Sequence, residues 1–463
     1  MVKKYDRVGI MLNLKKDSYR WIVLVSCMLV YCTAELVRWN YTGIAMYLMV
    51  DWNIGKPELG ILGAAFFYAY SLGQIPWGAA TDKFGGRKVI PVGIAGVAIA
   101  MAGFALCNSY YQGIVFRALL GFTAAAAFTP SSAILSRWFS KKERGFAIQM
   151  FSGTGGGLGE VLTFLLIPIF AIMLKGGGTF LGLTGWHGAT LIMAFIVLSI
   201  AIFAATFLRS DPTELGLPSI QLAEDGSNAK KQSLMEVAKA AVTDSVFWVF
   251  TIVFSGFVVG TRLVPAWLAL YATEFYIQTV GLSQDAAIIA GGSMAVIYVV
   301  GRAVGTPIVG LLSDFALKRG IPRAFVIWIA IMMMIGMYYA FTLPIPSPFL
   351  MGVLAFTSGI LINLFPLMGV VGIEIWSIRT SGMIIGIVNS VAQFIGAMAL
   401  SASGFMAVKY SVQGGAFYTE FLGIWYLGLV YSLFVGVCAT YFAYIEYKRA
   451  KQLKKMASPS EVA

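Results

Sequence analysis

Twelve apolar stretches, each 20 or more residues long, follow one another along this chain with charged or turn-rich breaks between them. They lie near 21–49, 57–80, 89–108, 111–136, 145–174, 186–208, 244–277, 285–313, 324–343, 346–373, 380–408 and 420–446. About 20 apolar residues at 1.5 Å each cross the hydrocarbon of a bilayer as a helix. Barrel strands would be about ten residues long and alternating, which these are not. The charged N-terminus leads straight into a run too long for a cleavable signal. Only 12% of residues are charged, against about 25% in soluble domains, and mean hydropathy is +0.81. The expectation is an all-α integral membrane protein of twelve transmembrane helices.

The net charge of +12 invites a nucleic-acid reading, which its distribution argues against. With the N-terminus inside and loops alternating, 26 of the 33 basic residues fall on the inner side. Lys56, Lys175 and Lys409 fall outside. That asymmetry follows the positive-inside rule and predicts cytoplasmic termini in a plasma (inner) membrane. The remaining four, Arg38, Arg117, Arg262 and Arg302, lie within spans. Cys27, Cys32, Cys107 and Cys438 read as small core residues, and His187 beside Trp186 reads as an interfacial anchor.

A polar stretch at 209–243 divides the chain into an N-terminal six-helix bundle (1–208) and a C-terminal one (244–463), and 233–243 could form a short surface helix. The halves echo each other. Gly78-Ala-Ala-Thr-Asp82, followed by Lys83, Gly85, Arg87 and Lys88, is matched by Gly310-Leu-Leu-Ser-Asp314, followed by Lys318, Arg319 and Arg323. Duplicated six-span halves are a transporter signature, with substrate held where the repeats meet. Asp82, Arg87 and Asp314 are expected to latch helix ends during gating.

These motifs resemble the major facilitator superfamily over essentially the whole chain, Arg117-Ala-Leu-Leu-Gly121 being similar to its fourth-helix motif. Leu36-Val37-Arg38-x-Asn40 and Asp211-Pro-x-x-x-Gly216-Leu-Pro218 resemble the organophosphate:phosphate antiporters. Phe66-Phe-Tyr-Ala-Tyr70-Ser-Leu-x-Gln74-Ile-Pro76 and Ser136-Arg137-Trp-Phe resemble the anion:cation symporters. The resemblance implies a fold of two pseudo-symmetric bundles and an organic-anion substrate moved by alternating access. Departures matter too. Trp39, Gln74 and about Ser152 stand where the antiporters have basic groups, which favours carboxylate or sulfonate over a dianionic phosphate ester. Val37 and about Ala124 stand where the symporters have acids, so their proton path does not carry over.

An intramembrane arginine costs about 2.5–3.5 kcal/mol to insert and should face a cavity or a partner. Arg38 and Arg262 sit at matching depths in the first helix of each half, and guanidinium forks suit anions. Both are candidate substrate ligands, with buried salt bridges as the alternative. Glu35, three residues before Arg38 on one helix face, is either a proton carrier or that arginine's counter-ion. Glu160 in the fifth span is a carrier or a structural acid. Arg302 resembles the arginine of monocarboxylate porters and either contacts substrate or braces its helix. Tyr31, Tyr70, Gln74, Asn363, Asn389 and Gln393 complete the candidate substrate set, and Arg117 joins the gating set or is purely structural. Gly153, Gly155, Gly157 and Gly159 read as close packing between halves.

No metal cluster, nucleophile–base pair or cofactor fingerprint stands out, so an enzyme is not expected. The expected partners are a small organic anion, protons or another coupling ion, and lipid, for a monomer without cofactors. An organophosphate antiporter and a transporter-like anion sensor are the alternatives; the short tail beyond Lys448 favours transport over sensing.

Overall fold

The computed structural model describes residues 18–217, 242–362, 364–411 and 416–457. Twelve helical spans are long and apolar enough to cross a membrane. The first six are α1 (Tyr19–Trp39), α2 (Lys56–Thr81), α3 (Gly86–Ala105), α4 (Tyr110–Trp138), α5 (Glu143–Lys175) and α6 (Gly185–Phe207). The second six are α7 (Ser245–Val280), α8 (Gln284–Lys318), α9 (Arg323–Phe341), α10 (Pro348–Trp376), α11 (Ile384–Tyr410) and α12 (Phe417–Arg449). Large apolar side chains such as Ile99, Ile202 and Val437 are exposed, as befits a surface whose solvent is lipid.

Local chemistry sets the helix ends. Asp244 caps α7 by accepting from the Val246 amide at 2.9 Å. The Gly55 amide donates to Glu58 at 3.0 Å where α2 begins, with Pro57 in its first turn. The turns after α2 and α8 place Gly85 and Gly320 at φ +80° and +79°, a conformation in which any β-carbon is strained.

Several of the predicted spans are not single α-helical rods. The first run stops as an α-helix at Trp39 and resumes through a tight turn at Thr42–Ile44 into a helix over Ala45–Asp51. The fourth breaks between Ala124 and Phe128. Helical backbone runs from Phe365 to Tyr410, and Gly372 faces Ile385, so α10 and α11 fold back on each other. The polar stretch is described only at 209–217 and 242–243; the helix expected near 233–243 lies almost wholly outside the described residues.

The six-helix halves meet along α2 against α11 and α5 against α8. A β-carbon at Gly404 would collide with the Lys56 carbonyl, and one at Gly292 with that of Phe164. Ion pairs join the halves at the end distal to the start of α1. Lys56 reaches Glu420 and, at 3.5 Å, Glu274, while Lys175 reaches Asp285 at 3.1 Å, to which Tyr47 also donates. At the end where α1 begins, Arg20–Glu143, Arg87–Glu214 (2.8 Å), Arg323–Asp314 (2.8 Å) and Arg323–Glu374 (2.9 Å) form, and none of these joins one half to the other. The halves are clamped at the distal end.

Gly155, Gly156 and Gly159 pack on α1 of their own half, against Met28, Tyr31 and Cys32. Only Gly157 of that run faces the other half, toward Arg302 and Val299. This corrects the expectation of packing between halves for Gly155 and Gly159: four residues apart, they share one helix face, and that face meets α1.

Candidate functional site

Charged side chains from both halves gather midway along the bundle. On α1, Glu35 and Arg38 form a buried ion pair, as their i, i+3 spacing allows. On α5, Glu160 accepts from Arg302 of α8 at 2.6 Å, bridging the halves. On α7, buried Arg262 finds neutral partners, donating to Gln393 of α11 and weakly, at 3.4 Å, to the Thr261 carbonyl. Gln393 in turn donates to Asn389 at 3.2 Å.

Arginines of opposite halves converge. The Arg38 guanidinium lies 5.9 Å from the Phe67 ring centre and that of Arg262 lies 4.1 Å from it. The two cations are therefore within about 10 Å of each other. Arg38 also lies 5.3 Å from the ring of Tyr70. Nε of each arginine is buried and without a hydrogen-bond partner, as is one oxygen of Glu35 and one of Glu160. Buried donors left unpaired are costly, and a guanidinium presents Nε beside Nη for bidentate capture of an anion. Counting charges, Arg38, Arg262 and Arg302 face Glu35 and Glu160, which leaves one positive charge in excess.

Arg117 braces the backbone beside Arg38. It is fully buried and donates to the carbonyls of Val37 (2.7 Å), Arg38 (3.0 Å) and Leu62 (3.3 Å) and to Asn40 (2.7 Å). The Val37 and Arg38 carbonyls are among those freed where α1 stops, so Arg117 holds the break that follows Arg38. Tyr31 packs with Phe128 and Phe151, at 5.4 and 4.9 Å, beside Gly156. Gln74 is half-buried one turn beyond Tyr70. Arg87 and Asp314 lie at the end where α1 begins, in the pairs given above. Asn363 and the side chain of Asp82 lie outside the described residues.

Residues 27–295 match the family profile of the Major Facilitator Superfamily. The chain belongs to that superfamily. Among curated relatives, the "Probable hexose phosphate transport protein" of Chlamydia trachomatis is 23% identical over 313 residues, 64% of each chain. The "Probable sulfoacetate transporter SauU" of Cupriavidus necator is 27% identical over 310 residues, 65% of this chain and 66% of the relative. The matches thus span a little under two thirds of these relatives' length. Among solved structures, a bacterial homolog of the human lysosomal transporter Spinster superposes with a TM-score of 0.72 at 18% identity, covering 93% of this chain and 97% of that one. As a facilitator-fold, multi-pass membrane protein, the chain bears out the fold and family expected from its motifs.

Sequence reasoning did not single out Phe67, Lys56, Glu274 and Glu420, whose side chains make contacts between the halves. Phe67 is one apolar residue in an apolar run and carries no signal of its own. Lys56 and Glu274 did carry one, as lone charges at the ends of apolar helices.

Proposed function

We propose that this superfamily member carries a small organic anion, a carboxylate or sulfonate, bound between Arg38 and Arg262. The observation that supports this most is that buried Arg262 is held by neutral groups while sharing Phe67 with Arg38. An uncompensated cation in a low-dielectric interior is expensive unless its counter-ion arrives as ligand. One excess positive charge suits a carboxylate or sulfonate better than a phosphate dianion. Tyr70, Gln74, Asn389 and Gln393 would supply neutral hydrogen bonds around it.

Glu35 and Glu160 are the proposed coupling groups. Protonating Glu160 would release Arg302 and remove the ion pair between α5 and α8, tying proton movement to movement of the halves. The halves are taken as 1–208 and 244–463, joined by 209–243, and one chain holds the entire site, so the monomer is the proposed transporting unit. With both termini cytoplasmic in a plasma (inner) membrane, the clamped end faces outward, which fits a state closed toward the outside. Asp82, Arg87 and Asp314 would re-pair as the halves move.

Uptake of labelled benzoate, methanesulfonate, sulfoacetate and glucose 6-phosphate into proteoliposomes tests the reading. Carboxylate or sulfonate uptake that Arg262→Gln abolishes is expected. Uptake of glucose 6-phosphate alone would return the chain to the organophosphate reading, and stable binding without uptake would make it a sensor.

A further inference from the structure

We propose that Phe67 is a positioning residue for the anion site, its ring face seating Arg262 across the boundary between halves without cancelling the arginine's charge; this rests on the reading that Arg38 and Arg262 bind the anion. Two guanidinium groups within about 10 Å repel each other, so something must hold Arg262 in place. A carboxylate would do so, and would also occupy the fork that an anion needs. An aromatic face attracts a cation through its quadrupole while leaving the N–H donors and the net charge free. Phe67 meets that need: it is 1% exposed, and Arg262 lies 4.1 Å from its centre.

The ring is itself fixed. Trp39 packs on it with centres 5.7 Å apart, and Phe66 meets it edge-on at 5.3 Å. Trp39 is the neighbour of Arg38 in sequence, so the same aromatic contact ties the ring to the helix that carries the other arginine. Arg38 has a second seat on Tyr70 and a carboxylate in Glu35; Arg262 lies far closer to Phe67 than Arg38 does. Loss of the ring face therefore falls mainly on Arg262. Because Phe67 belongs to α2 and Arg262 to α7, the contact also registers one half against the other in this state.

The test replaces Phe67 with phenylalanines bearing one, two or three ring fluorines, which weaken the quadrupole with little change of shape, alongside Phe67→Leu and Phe67→Trp. Binding of benzoate and sulfoacetate is measured by calorimetry, and unfolding temperature is measured without ligand. We expect binding to weaken stepwise with fluorination, Phe67→Leu to lose about tenfold or more, and Phe67→Trp to stay near wild type. Without ligand, the unfolding temperature should fall stepwise with fluorination in the wild-type background and stay flat in an Arg262→Leu background. Equal slopes in the two backgrounds, or none in either, would overturn the proposal and leave Phe67 a packing residue. The ligand-free arm decides even if neither probe binds. An Arg262→Gln variant separates the two failures. If it binds as wild type, the anion reading itself falls; if it does not bind and fluorination has no effect, only the role of Phe67 falls.

Discussion

Replacing Lys56 with methionine should open the clamped end of the protein. Lys56 is buried between the halves, 3.5 Å from Glu274 and in contact with Glu420 and the Phe421 ring. The Lys56 and Glu274 side chains are only 9% and 13% exposed, whereas Glu420 is 47% exposed. Coulomb attraction at 3.5 Å and an effective dielectric of about 20 amounts to about 4–5 kcal/mol before desolvation. The exposed Glu420 adds no more than about 1 kcal/mol. Stranding Glu274 without its partner should cost the clamped state about 3 kcal/mol, a shift of about a hundredfold toward the open state. Spin labels at Asn108→Cys and Pro344→Cys, in a background without the four native cysteines, report the separation of the halves at that end. The longer distance should dominate in Lys56→Met and recede in Lys56→Met/Glu274→Gln, where no stranded charge remains. An unchanged distance distribution in Lys56→Met would refute the clamp.

Three other outcomes are expected. Arg302→Met should lower the unfolding temperature by stranding Glu160, and adding Glu160→Gln should recover most of the loss; thermal melts of the four proteins give a coupling of about 3 kcal/mol if the pair acts as described. Arg38→Lys and Arg262→Lys should each cut uptake at least tenfold despite keeping the charge, because lysine lacks the planar fork, and uptake assays check this directly. Gln at whichever of Glu35 and Glu160 carries the proton should abolish the response of uptake to an imposed pH gradient while exchange of labelled for unlabelled substrate continues. If both variants keep the response, coupling through these acids is wrong.

The spans were legible because burial in lipid demands only unbroken apolarity: the run near 89–108 became a helix over Gly86–Ala105. The Glu35–Arg38 pair was legible too, since three residues along one helix fix the contact. Glu160 and Arg302 are 142 residues apart, and no local spacing announces that they meet. The break after Trp39 was hidden for a similar reason. Its carbonyls are satisfied by Arg117, from three spans later in the chain, while the sequence there stays apolar enough to read as one helix. Phe67 was invisible because its role comes from what lies on its face rather than from its type.

The central claim is that Arg262 holds an anion by its uncompensated charge. Calorimetric titration of benzoate, its uncharged analogue benzamide, sulfoacetate and glucose 6-phosphate into purified wild-type protein and Arg262→Gln tests it most directly. The account predicts that benzoate or sulfoacetate binds the wild type more tightly than benzamide and glucose 6-phosphate do, and that Arg262→Gln loses this preference. Equal binding of benzoate and benzamide, or anion binding untouched by Arg262→Gln, would contradict it.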